Sequence, residues 1–336
     1  LREAWKRPDT IIVNEQVWTA TARQADIVFP CTTSMERNDL GGSSYDHWFT
    51  PMPKVVEPFA RSRSDFEILT AIAEHLGIAE QFTEGRSEME WVRHLYEKTV
   101  VNASEKGISM PEFDEFWKGK QFSVEPDIKE MKFPLEKFRE DPQAHPLQTP
   151  SGKLEIFSET IDSFAYDDCK GHAMWFEKDE FMGNTHSNDY PLHLVSNQPR
   201  TRLHSQLDHG VTSRNAKIKG REPMRMNQVD ASKRGISAGD VVRIFNDRGA
   251  CLAGVELTET IRPGVIELAT GAWYEPQDYQ DPNSLEIHGN PNVLTRDIGT
   301  SKLAQGPTAH SCLVEIERYD QPLPEVRSFQ QPRIQD

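Results

Sequence analysis

Over the first part of the chain, short β-branched runs alternate with stretches of helical spacing. Thr10-Ile11-Ile12-Val13 reads as a buried strand, Thr19–Gln24 as a short helix, and Asp26-Ile27-Val28-Phe29 as a second strand ended by Pro30. Ser64-Asp65 caps a helix over Phe66–Leu76 with apolar residues at Ile68, Leu69, Ile72, Ala73 and Leu76, and Gly77 stops it. Strand, helix, strand, helix in this order predicts a parallel sheet with helical crossovers, an α/β class for residues 1–85.

Residues 86–190 are more acidic and less regular, and read as a mixed helical and irregular connecting region. Two capping boxes predict helix starts, Ser87 with Glu90 and Ser109 with Glu112, the second with Pro111 in its first turn. Carboxylates in such places cap and solvate helix ends. Pro150-Ser151-Gly152-Lys153 predicts a turn into a strand at Leu154–Phe157, and Asp179–Asn188 a loop at a domain boundary.

From Pro191 the pattern changes to short strands separated by Gly, Asn and Asp: Leu192–Val195, Val241–Phe245, Cys251–Leu257, Gly264–Ala269 and Ser311–Ile316. Asn246-Asp247-Arg248-Gly249 is a hairpin signal between the second and third. Many short strands with regular turns predict a closed barrel over residues 191–336, because closure removes exposed edges.

A length of 336 residues exceeds what one core commonly serves, in keeping with this division. The formal net charge of -15 makes nucleic acid and anionic membranes poor partners for the chain as a whole. No apolar run approaches the roughly 20 residues that cross a bilayer, so no integral membrane segment is expected. Cys31, Cys169, Cys251 and Cys312 are far apart in sequence, with neither an iron–sulfur nor a zinc spacing. Leu1 opens the sequence where a methionine would be usual, and Leu1–Arg7 reads as the middle of a helix, so a longer parent is expected.

Candidate chemistry concentrates after the strand at Leu192–Val195. The run Ser196-Asn197-Gln198-Pro199-Arg200-Thr201-Arg202-Leu203-His204-Ser205-Gln206 offers hydroxyls, amides, an imidazole and two guanidiniums with little apolar surface. Amides read the donor and acceptor edges of a heterocycle and guanidinium suits phosphate, so this run fits a large nucleotide-like ligand; a solvated loop fits its composition equally. Gly289–Thr295 and Gly299–Gly306 are rich in Gly, Asn, Ser and Thr, a composition that brings backbone amides close to an anion, without the order of a P-loop. Trp273 and Tyr274 follow a strand and either stack on a ring or pack in a barrel mouth. His204, His209 and His310 are candidates for ligand contact, though a lone histidine is more often structural, and Cys31 after a buried strand reads as a packed thiol. No G-x-S-x-G elbow, H-E-x-x-H motif or nucleophile with a matched base is present.

Trp18-Thr19-Ala20-Thr21-Ala22, Ala25–Pro30 and Thr32–Asp39 resemble a signature of molybdopterin oxidoreductases that reduce S-oxides and N-oxides, the dimethyl sulfoxide reductase family. Arg202–Leu207, Asn246–Gly249, Asn292-Val293-Leu294 and Asp297–Gly306 continue the likeness, which covers most of the chain and is weakest over residues 100–150. Within the family it is nearest to the biotin sulfoxide and trimethylamine N-oxide reductases. The resemblance implies part of a parallel-sheet α/β cofactor domain followed by a C-terminal double-psi β-barrel. It implies one molybdenum held by two molybdopterin guanine dinucleotides, with Glu15, Arg37, Asp65, Gln198, His204, Ser205, Gln206, Asn292 and His310 at cofactor-contacting positions. Glu15 stands where the family has an acidic residue, usually aspartate, against a guanine, and Gln198 is histidine in some relatives.

No catalytic residue is expected within the chain, and the protein ligand to the metal, usually serine, is expected upstream of Leu1. The implied partners are a small S-oxide or N-oxide substrate and an electron donor protein. The compartment is cytoplasmic if the parent follows biotin sulfoxide reductases and periplasmic if it follows trimethylamine N-oxide reductases. Two other readings are a non-catalytic barrel serving binding or assembly, and an enzyme of the formate dehydrogenase or nitrate reductase type.

Overall fold

In the computed structural model, residues 2–43, 47–123 and 133–332 are described, and the chain divides into two compact units, Leu1–Pro146 and Leu147–Asp336. Of the helix expected at Leu1–Arg7, Arg2–Trp5 is present and Leu1 lies outside the described residues.

In the first unit β1 (Ile12–Glu15) and β2 (Ile27–Pro30) pair in parallel, and the short helix between them narrows to a 3-10 turn at Ala22–Gln24. The expectation that the first strand is buried is overturned: Ile12 is exposed, because β1 and β2 form a two-stranded sheet that leaves a face of β1 uncovered among the described residues. The helix Asp65–Leu76 is capped at Ser64 as expected, in a capping box with Glu67 that the sequence reading did not include, and ends at Gly77 with φ 71°. Ile68 and Ala73 are its buried positions, while Leu69 and Leu76 face outward.

Three strands escaped sequence reasoning in this unit: β3 (Asp39–Gly42), β4 (Trp48–Met52) and β5 (Phe122–Ser123), joined antiparallel in that order. Their core is aromatic, Tyr96 stacking on Phe116 at 4.4 Å with Phe113 and Phe49 beside it. The capping box at Ser87 and Glu90 starts the helix Glu88–Ser104 as expected. The one at Ser109 and Glu112 does not form: Glu112 is itself the N-cap of Phe113–Lys118, and Pro111 lies outside the helix. The Tyr96 hydroxyl, donating 2.7 Å to the Pro111 carbonyl, ties this segment to the core instead.

In the second unit the turn at Pro150–Lys153 is present, but Leu154–Phe157 forms no strand: among the described residues none pairs with it, and Ile156 is 91% exposed. Asp179–Asn188, expected at a domain boundary, is a loop inside this unit with a 3-10 turn at Thr185–Asn188. Six strands then close a barrel: β6 (Leu192–Val195), β7 (Pro223–Asn227), β8 (Val241–Asn246), β9 (Gly249–Thr258), β10 (Val265–Leu268) and β11 (Leu313–Arg318), in the order β10-β6-β11-β8-β9-β7. This is the double-psi barrel expected, with two parallel pairings (β6 with β10, β7 with β9) among antiparallel ones. Period-two burial fills it with Leu194, Met226, Ile244, Val255, Ile266 and Val314.

The pairing fixes which loops meet. β6 and β10 run parallel and finish at Val195 and Leu268. β11, antiparallel to β6, begins beside them at Leu313, and the β8–β9 hairpin turns at the same level, Asn246 opposite Gly249. The loops after β6 and β10, the segment entering β11 and the β8–β9 hairpin therefore share one rim.

Candidate functional site

In the first unit the parallel pair and the following helix converge. β1 ends at Glu15, β2 runs into Cys31, Cys31 bridges to Arg63, and Asp65 opens the helix one residue after its cap. The expected residues Glu15, Arg37 and Asp65 gather here, at the carboxyl ends of parallel strands, where α/β sheets place their ligands. Glu15 accepts from the Thr19 hydroxyl at 3.2 Å and Asp65 from the Asn14 amide at 2.9 Å. Arg37 donates to the Thr32 carbonyl at 3.1 Å and to Asp39 at 3.2 Å. All three charges act on Cys31, whose thiol is pushed up by burial and by the carboxylates of Asp65 and Glu15 against Arg37. A protonated, packed thiol results, as the sequence suggested.

In the second unit Gln198, His204, Ser205, Gln206, Asn292 and His310 all lie on the rim defined above, and all six are exposed. Their side chains make no hydrogen bond to another described residue, although the backbone beneath them is tightly held. Arg202 Nε donates to the His204 carbonyl at 2.9 Å, the Trp273 indole to the Ser205 carbonyl at 2.8 Å, and the Asn290 side chain caps Asn292 N at 2.9 Å. His310 is tied to β6 through a hydrogen bond from His193 to its backbone. His204 and Leu207 hold φ of 51° and 59°, left-handed values that side chains avoid unless something fixes them.

One guanidinium counted for phosphate is not available to it. The Arg202 side chain is buried, donating to Glu222 at 3.1 Å, to Ser213 at 3.2 Å and to the Thr270 carbonyl at 3.0 Å. Lys217 completes the group, 2.9 Å from Asp208 and 2.8 Å from Glu222, so two cations balance two carboxylates out of water. Asp208 also accepts from the Trp273 backbone N–H at 3.0 Å; burial raises its pKa, but the cations of Lys217 and Arg202 outweigh that and hold it low. His288, fully buried and 4.0 Å from Asp208, is held well below the usual histidine range by burial and by Lys217, hence neutral. Its Nδ1 meets the Trp273 carbonyl at 2.8 Å.

The amides of Gly289 and Asn290 also have a partner already. They donate to Glu286 Oε2 at 2.7 and 2.8 Å, while Glu275 and His288 N–H groups reach Oε1 at 3.2 and 3.1 Å. The anion this stretch cradles is thus a side chain of its own fold, and burial pushes Glu286 up to about 7 against those four donors. Trp273 packs rather than offering a free face, with His209 at 5.2 Å and Phe329 at 5.4 Å. Of the two readings of Trp273 the packed one holds, while its indole hydrogen bond and the roles of Asp208 and Glu286 escaped sequence reasoning.

Among the described residues no group of three or more His, Cys, Asp or Glu side chains is placed to hold a metal ion, and no helix is long and apolar enough to cross a membrane. The chemistry of the rim is instead that of a hydrogen-bonding ligand: amides, a hydroxyl and imidazoles with unspent donors and acceptors suit a purine and a sugar-phosphate chain.

Residues 1–75 match the molybdopterin oxidoreductase family and residues 192–313 the molydopterin dinucleotide binding domain, the second match covering all six rim residues. The trimethylamine-N-oxide reductase of Haemophilus influenzae is 45% identical over 99% of this chain and 41% of its own length. The biotin sulfoxide reductase of Cereibacter sphaeroides is 45% identical over 95% of this chain and 42% of its own. The chain thus spans about two fifths of the length of the curated relatives it matches. Acetylene hydratase from Pelobacter acetylenicus shares the fold, with a TM-score of 0.68 at 18% identity over 95% of this chain and 41% of that one. By these matches the chain belongs to the molybdopterin oxidoreductases, among the relatives of the dimethyl sulfoxide reductase family.

Proposed function

We propose that this chain is the cofactor-holding part of a molybdenum S-oxide or N-oxide reductase, and that its cofactor is bis(molybdopterin guanine dinucleotide) molybdenum. The observation that carries this reading is the set of six exposed, internally unpartnered polar side chains on one barrel rim, inside the stretch that matches the dinucleotide-binding domain. In this reading residues 1–85 belong to the α/β cofactor domain, 86–190 connect, and 191–336 form the dinucleotide-binding barrel.

The chain's own residues hold and orient. Gln198, Gln206 and Asn292 present amides, Ser205 a hydroxyl, and His204 and His310 imidazoles, which together read a guanine edge and hydrogen-bond to ribose and phosphate. In the first unit Asp65 and Glu15 accept from guanine N–H groups and Arg37 donates to phosphate oxygens. When bound, the molybdenum cofactor supplies the two-electron redox chemistry by which an oxygen atom leaves an S-oxide or N-oxide. The reaction consumes electrons, so an electron donor protein is the remaining partner.

Metal and guanine content test this, on the full-length protein made in cells that synthesise the cofactor. About one molybdenum and two guanine nucleotides per chain are expected, because the cofactor carries the chemistry. Oxidation of a reduced viologen by trimethylamine N-oxide, dimethyl sulfoxide and biotin sulfoxide then ranks the substrates. A folded protein carrying neither metal nor guanine would leave the barrel as a binding module.

A further inference from the structure

We propose that Trp273 is a positioning residue for the ligand-facing turn His204-Ser205-Gln206, acting through its indole N–H on the Ser205 carbonyl. The proposal rests on the cofactor-binding reading above and concerns how this chain sets the geometry of that contact.

The turn is held from below at two successive carbonyls. Arg202 Nε takes the His204 carbonyl at 2.9 Å and Trp273 Nε1 takes the Ser205 carbonyl at 2.8 Å. Drawing both carbonyls inward turns the imidazole, hydroxyl and amide of the three residues outward, where all three are exposed. This geometry is unfavourable on its own, since His204 and Leu207 both lie in the left-handed region. Something must hold it.

Trp273 is built to be an immobile donor. Its ring is flanked by His209 at 5.2 Å and by Phe329, edge-on, at 5.4 Å. Its backbone N–H is fixed by Asp208 at 3.0 Å and its carbonyl by His288 Nδ1 at 2.8 Å. Asp208 in turn is fixed by Lys217 at 2.9 Å and by the Ser213 hydroxyl at 2.8 Å. The buried charges thus act at the rim through two side chains, Arg202 directly and Trp273 by way of Asp208, supporting the residues that touch ligand from behind. Arg202 shares the task, but it also serves the buried charge balance, so Trp273 is the residue at which positioning can be separated from stability.

The test uses the full-length protein with Trp273→Phe, which keeps an aromatic ring and removes the donor. Three quantities are read: guanine nucleotide retained and its rate of loss, the preference of cofactor-free protein for GMP over IMP, and the melting temperature. One lost hydrogen bond at the contact predicts roughly tenfold faster nucleotide loss and a GMP preference reduced by a similar factor. Trp273→Phe also lowers the melting temperature because it removes buried ring volume, whereas benzothienylalanine, which keeps that volume, leaves it nearly unchanged. If Trp273→Phe does not fold, benzothienylalanine at this position, of indole shape without the N–H, carries the same three measurements. A variant with wild-type nucleotide loss and GMP preference overturns the positioning role while leaving the cofactor reading intact. A wild-type protein holding no guanine nucleotide and preferring neither GMP nor IMP overturns the cofactor reading, and this role with it.

Discussion

A Cβ atom added to Gly271 would lie 2.1 Å from the carbonyl oxygen of His204, far inside any contact two such atoms sustain. The strand-end backbone after β10 therefore packs directly against the turn that presents His204, Ser205 and Gln206. Gly271 also holds φ +89°, a conformation L side chains rarely adopt. Gly271→Ala combines a steric conflict with backbone strain and should cost about 3 kcal/mol. Urea unfolding measures it; a loss below about 1 kcal/mol would mean the turn moves aside freely.

Glu180 and Arg248 form a two-point ion pair at 2.6 and 3.0 Å, and Glu180 also accepts from Leu313 N–H at 2.8 Å. Burial raises the Glu180 pKa, but Arg248 and the Leu313 amide outweigh it and hold the carboxyl below its usual range. The pair ties the Asp179–Asn188 loop to the hairpin tip and to the start of β11. Arg248→Met leaves a largely buried carboxylate alone and should cost about 3 kcal/mol, whereas the double variant with Glu180→Leu should recover part of that loss. A double variant as unstable as the sum of the single ones would show that the pair itself contributes nothing.

The barrel and the cap at Ser64 were legible in the sequence because both rest on local rules. Alternating burial marks β8, a continuous apolar run marks β9 and turn residues mark the hairpin between them, while a cap needs only residues three apart. β7 was not legible: Pro-Met-Arg-Met-Asn opens on a proline and carries a charge, and only Met224 and Met226 show its inward face. Leu154–Phe157 misled in the other direction, since strand propensity is realised only where a partner strand exists. At the candidate site, Gln198 to Gln206 stood out by composition, yet composition could not tell Arg202, which is buried, from Gln206, which is exposed. The partners that bury Arg202, namely Ser213, Glu222 and Thr270, are distant in sequence or reached only through the fold. The grouping of Glu15 and Asp65 likewise depends on strand pairing that no local pattern states, and their assignment came from resemblance.

Two buried groups give the second unit opposing pH dependences. Burial pushes Glu286 from 4.5 up to about 7, so the fold holds an extra proton between these values and stability falls as pH rises through them, by about 3 kcal/mol in all. His288 is held far below 6.5 by burial and Lys217, so the unfolded chain takes a proton the fold refuses, and stability falls as pH drops below 6.5. Between 4.5 and 6.5 the two slopes oppose each other. Above that window Glu286 governs; below it His288 and the low-pKa Asp208 govern. Urea unfolding of the protein at a series of pH values should thus show a broad maximum in mildly acidic solution. A profile with no decline toward pH 7 would mean that the four backbone donors keep Glu286 ionised in the fold.

Arg202 and Gln206 stand four residues apart and should respond oppositely to substitution. The Gln206 side chain is exposed with no hydrogen-bond partner among the described residues, so Gln206→Ala should change stability by less than about 0.5 kcal/mol. Arg202→Met removes one of two cations from a buried group with two carboxylates and should cost about 3–5 kcal/mol. If the rim holds a guanine dinucleotide, Gln206→Ala lowers nucleotide retention while the melting temperature stays in place. Arg202→Met instead lowers melting temperature and retention together, since the His204 carbonyl loses its donor at 2.9 Å. Melting curves and released guanine, measured on the same preparations, separate the two. If Gln206→Ala lost stability and kept its nucleotide, that residue would belong to the scaffold, and the ligand would have to be read by Gln198, His204, Ser205, Asn292 and His310 alone.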